Sequence, residues 1–84
     1  MKNNAVSFAV LQRVLEDLGF VRKRVGGPQV VLEHGPSDTV FLFRAYKARD
    51  KVAVADLIGV RKILDERGVI EPEALEERLH QLSV

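Results

Sequence analysis

Residues 20–46 read FVRKRVGGPQVVLEHGPSDTVFLFRAY, and two glycine–proline breaks cut the stretch into three. Phe20 to Val25 reads as a first strand, with Val21 and Val25 on one face and Arg22 and Arg24 on the other. Gly26-Gly27-Pro28 is a turn, because glycine tolerates positive φ and proline withholds a backbone donor. Gln29 to His34 is a second strand rich in β-branched residues, closed by the turn Gly35-Pro36-Ser37-Asp38. Thr39 to Tyr46 is the third strand and the most apolar. Connections this short join antiparallel neighbours, so the stretch predicts a three-stranded antiparallel meander.

Strand alternation then sorts the two faces. Val30 and Leu32 share one face of the second strand, and Val31 lies opposite beside Gln29 and Glu33. On the third strand Phe41, Phe43 and Ala45 share a face, with Val40, Leu42, Arg44 and Tyr46 behind them. The Phe41/Phe43 face is the expected core. That leaves Val31, Val40 and Leu42 on the open face, which is more apolar than a solvated sheet surface usually is. Something is expected to cover it: a second copy in a homodimer, a partner protein, or a terminal segment such as the last helix or residues 1–6.

Helical patterns flank the meander. Phe8, Leu11, Val14, Leu15 and Leu18 recur at helical spacing and cover about a third of the circumference. Ser7 suits the N-cap and Gly19 the left-handed position past the end. Leu57, Val60, Ile63 and Leu64 write a second helix stopped by Gly68. Pro72 suits the first turn of a third, whose stripe is Leu75, Leu79 and Leu82. The order is α-β-β-β-α-α, an α+β class fold with the helices on one face of the sheet. The 84 residues form a single domain with its core between about 7 and 82.

Composition narrows the function. The chain has 46% hydrophobic and 30% charged residues, enough for both a core and a soluble surface. It contains no cysteine, which excludes disulfides and thiolate chemistry. No apolar run approaches the ~20 residues of a membrane span, and a cytoplasmic location is expected. Residues 1–51 carry nine Lys/Arg against five Asp/Glu, whereas residues 52–84 carry four against seven. Arg22, Lys23 and Arg24 sit on the first strand; Arg44, Lys47, Arg49 and Lys51 gather at and after the third. If both groups reach one rim, they form a phosphate-tracking surface for RNA. Tyr46 is the only aromatic platform near them.

The opening Leu11-Gln12-Arg13-Val14-Leu15-Glu16-Asp17-Leu18-Gly19-Phe20 and the later Val60-Arg61-Lys62-Ile63-Leu64-Asp65-Glu66-Arg67-Gly68-Val69 resemble the HicA toxin family. The resemblance spans roughly residues 8–82. It implies a double-stranded-RNA-binding-domain-like fold, ribonuclease activity and a HicB-like antitoxin as partner. The family keeps glycine, serine and a catalytic histidine before the second strand. Here Gly27 matches, Pro28 stands for the serine and Gln29 for the histidine. A glutamine amide does not titrate and cannot act as a general base. The expectation is therefore a toxin-family domain that binds RNA or protein and has little or no nuclease activity.

His34 is the one substitute base, provided its ring leans toward the first hairpin, beside Tyr46 or an arginine. His80 lies on a charged helix. Two isolated histidines do not make a metal site, and no cofactor is expected. Ser7, Ser37 and Ser83 lie in a cap, a turn and a tail with no base near them in sequence.

Overall fold

The computed structural model describes residues 6–83. The elements are α1 (Phe8–Asp17), β1 (Val21–Lys23), β2 (Val30–His34), a short 3-10 helix (Gly35–Ser37), β3 (Thr39–Phe43), α2 (Val54–Glu66) and α3 (Pro72–Ser83). The strands form one antiparallel sheet in the order β1-β2-β3. The α+β architecture and element order match the expectation from sequence.

α1 forms because its apolar residues share one side and its start is capped. The Ser7 hydroxyl accepts from the Val10 amide at 3.3 Å, and Phe8, Leu11, Val14 and Leu15 are buried. Two further first-turn amides are satisfied from a distance: Phe8 donates to the Asp50 carbonyl at 2.7 Å and Ala9 to Ala48 at 2.9 Å. Ser7 also bridges to Lys51. The chain after β3 is thereby strapped to the start of α1.

In β2, Val30, Leu32 and His34 face inward; in β3, Thr39, Phe41 and Phe43 do the same. These meet α1, Val60 and Leu64 of α2, and Leu75 and Leu79 of α3 in a single core. Leu11, Leu15, Leu32 and Leu64 are fully enclosed, and truncating any one to alanine costs about 2–5 kcal/mol. α3 packs against α1 and α2. It therefore does not cover the open sheet face, one of the covers expected above. Residues 1–5 lie outside the described residues.

The strands are shorter than their sequence patterns. β1 has three residues, all exposed, and Arg24 and Val25 fall in the following loop. β2 starts at Val30, not Gln29. β3 ends at Phe43 because the Tyr46 amide donates back to the Arg44 carbonyl at 2.6 Å, a tight bend no strand sustains. Ala45 is consequently exposed rather than part of the core face. Tyr46 swings to the core side, where its ring stacks on Phe8 at 5.0 Å.

Candidate functional site

The register decides where the basic residues meet. Lys23 pairs with Val31, Val31 with Leu42, and Val30 with Phe43. The end of β1, the start of β2 and the end of β3 thus lie side by side, with β1 and β3 separated by about 10 Å across β2. Arg22, Lys23 and Arg24 stand on one flank of this sheet end. Arg44 and the strapped segment bearing Lys47, Arg49 and Lys51 stand on the other. Sequence alone left open whether these groups share a rim; the topology puts them at the same end.

Pairing also splits the first group. Val21 and Lys23 stand opposite Glu33 and Val31 and project from the open face, whereas Arg22 stands opposite Leu32. Arg22 reaches back over α1, donating to the Gln12 side-chain oxygen at 3.4 Å. Between the two directions runs an open groove of about 480 Å³ lined by Arg22, Lys23, Arg24, Gly27, Pro28 and Gln29, with Val25. Gln29 is exposed at its lip. No titratable base lines the groove.

Carboxylates neutralise part of the rim. Lys23 pairs with Glu33 at 3.3 Å and Arg44 with Asp56 at 3.5 Å. The first contact is exposed and contributes little to stability, whereas the second has its carboxylate half-buried. The Lys47 amide donates to the Asp50 carboxylate at 2.8 Å, which fixes the backbone of that segment. Among the described residues, Arg24, Lys47, Arg49 and Lys51 make no ion pair. Their charges stay available to an anion.

Tyr46 is not a free platform for a base. One ring face lies on Phe8, and the Arg44 guanidinium sits 5.5 Å from the ring centroid. Its hydroxyl donates to Asp56 at 2.6 Å and accepts from the Ala53 amide at 2.9 Å. Burial first, and then the hydrogen bond to Asp56, push the phenol above its ordinary value of 10.0. Tyr46 is a latch that ties the segment after β3 to the first turn of α2.

His34 lies at the other end of β2, about 16 Å of strand away from Gln29. Its ring is buried and stacks on Phe20 at 4.9 Å, so it does not lean toward the first hairpin or Tyr46. Nδ1 accepts from the Ser37 amide at 3.3 Å and lies 2.7 Å from the Ser37 hydroxyl. That hydroxyl is in turn 2.7 Å from the Thr39 hydroxyl. With Nδ1 as acceptor, the neutral ring carries its proton on Nε2. Ser37 therefore does have a base beside it, three residues upstream. The signal was legible as a histidine and a serine flanking a glycine–proline turn, since a tight turn returns the chain within hydrogen-bond reach. The Arg67 guanidinium closes the same corner by donating to the Ser37 and Asp38 carbonyls at 3.0 and 3.1 Å.

On the open face Val31 is half-buried, while Val40 is 54% and Leu42 69% exposed. No described element lies over them. His80 is exposed on α3. Among the described residues no cluster of three or more His, Asp or Glu is placed to hold a metal ion. No described helix is long and apolar enough to cross a membrane. The molecule is thus a small α+β domain with one sealed and one basic sheet end. Comparison with protein-family models, with curated proteins and with solved structures found no match to this chain.

Proposed function

We propose that this domain is a HicA-like binding module that holds RNA by its phosphate backbone at the basic end of the sheet and cleaves it weakly or not at all. The observation that carries this reading is the convergence of Arg22, Lys23 and Arg24 with Arg44, Lys47, Arg49 and Lys51 at one sheet end. Their spacing across a three-stranded sheet suits a backbone-tracking contact more than base stacking, since the one nearby aromatic is already occupied. The missing base supports the second half: Gln29 sits on the groove, and His34 is sealed at the far end. Titrating a short RNA duplex at several salt concentrations tests the reading. Affinity should fall steeply with salt, and the log–log slope should shrink by about one for each phosphate-contacting cation removed. Salt-independent or absent binding would overturn it.

A second reading is favoured by the exposure of Val40 and Leu42. A protein of the HicB-like antitoxin kind would cover that face. Such a partner would co-purify with the native chain and would be lost on Leu42→Lys.

A further inference from the structure

The outer edge of β3 is open. It is the last strand of the sheet, and among the described residues its backbone bonds only to β2. Proteins usually blunt such edges with lysine, proline, a bulge or a very short strand. β1, the opposite edge, is blunted in that way, being three residues long and basic. Thr39–Phe43 has none of these devices: five residues, no charge, no proline, no glycine.

We infer that β3 pairs edge to edge with β3 of a second copy, antiparallel about a two-fold axis through Phe41, to give a continuous six-stranded sheet. It shares Arg44 with the RNA reading and otherwise does not depend on it. A second copy is favoured over other strands because the sequence is self-complementary about that axis. Keeping both helical layers on one side of the joint sheet restricts the two-fold to pairings of residues on the same face. Centring on Phe41 is the register that overlaps the whole strand. It sets Leu42 against the partner's Val40, and Val40 against the partner's Leu42. One residue beyond each end of the strand, outside the ladder, it brings Arg44 near the partner's Asp38. Two apolar pairs and two opposite-charge pairs result, and no like charges meet.

The groups involved are free to engage. Val40 and Leu42 are the exposed residues of β3. The Arg44 side chain is 64% exposed, with a 3.5 Å contact to Asp56 and the Tyr46 ring 5.5 Å away. Asp38 is exposed, and Arg67 holds it through the main-chain oxygen, not the carboxylate. Its left-handed backbone, φ 55°, is one that aspartate tolerates. The contact is one strand long, about 17 Å, and falls at the small end of specific interfaces. The dimer is therefore weak and dependent on concentration.

Sedimentation velocity on the full chain, from low micromolar to millimolar, tests this. Wild type should shift from monomer to dimer across that range. Val40→Lys, checked for an unchanged circular dichroism spectrum, should stay monomeric, because it seats a lysine on the edge and against the partner's Leu42. Val21→Lys on β1 and Val54→Lys on α2 should dimerise as wild type does. Register has its own readout, since the chain has no cysteine. Mixed Val40→Cys and Leu42→Cys proteins should cross-link to each other faster than either does alone. A strict monomer at millimolar concentration would overturn the inference and leave the edge to a strand of another protein. So would a dimer that survives Val40→Lys or that Val21→Lys abolishes.

Discussion

The two ends of β2 carry opposite designs. At the His34 end the titratable ring is enclosed: the imidazole stacks on Phe20, its Nδ1 is occupied by Ser37, and Arg67 clamps the carbonyls outside. At the Gln29 end seven cations are exposed, three of them, Arg22, Lys23 and Arg24, lining the groove of the hairpin and four lying at and after the end of β3. The five-residue strand between them belongs to one core. The end with the histidine encloses its titratable side chain, and the end without one leaves its cations in solvent. A titratable side chain is therefore a poor guide to a site until its burial and partners are known.

The largest test of this contrast is to move the base. Gln29→His places an imidazole on the open groove, and general acid–base help is worth about 10²–10⁴-fold where the rest of a site is in place. An assay with labelled RNA should show cleavage created or raised relative to the wild type. A variant that binds RNA but never cuts it would show that the hairpin is not a latent cleavage site.

Two glycines with nearly the same backbone sharpen the comparison further. Gly19 has φ +106° and Gly27 φ +105°, but a Cβ at Gly19 would lie 3.2 Å from the His34 ring, whereas at Gly27 it would meet only the tip of Gln29 at 3.1 Å. Both alanine variants carry backbone strain of about 1–3 kcal/mol. Gly19→Ala adds a clash with a ring already packed against Phe20, for a total of about 2–5 kcal/mol. Thermal melts should rank Gly19→Ala well below Gly27→Ala; equal losses would mean that the His34 end is not the tighter one.

Tyr46→Phe removes the latch, leaving the Ala53 amide without its acceptor and Asp56 with only its Arg44 contact, a loss of about 1–2 kcal/mol in denaturant unfolding. The pH dependence has a defined sign. The raised phenol value means that the folded state holds the proton more tightly than the unfolded chain. This contribution is intact below the ordinary value of 10.0 and is lost as pH rises through the folded value. Wild type should lose stability above pH 10 more steeply than Tyr46→Phe does.

Lys23→Ala should have the smallest effect on folding, within about 0.5 kcal/mol, because its pair with Glu33 is exposed. It should still lower the salt slope of RNA binding by about one. A large stability loss without a change in binding would reverse the roles assigned to the two ends.

Most of the architecture was legible in the chain. The period of the apolar residues, the cap at Ser7 and the glycine stops at Gly19 and Gly68 mark the helices through local backbone physics. The glycine–proline turns mark the hairpins in the same way. The site was less legible. Alternation carried β3 on to Tyr46, but a tight bend at Arg44 ends it, and Tyr46 trades an outward position for the Phe8 ring. Alternation likewise assigned Ala45 to the core, where it does not go.

What the sequence determined by itself is the element order, the choice of core face and the absence of a histidine at the Gly27-Pro28-Gln29 turn, because each depends on neighbours a few residues apart. Only the tertiary structure decided that two cationic groups twenty or more residues apart share one sheet end, and that His34 is sealed at the other. Both depend on strand register and on which side chains fill the space beneath Gly19, and these are settled by long-range packing.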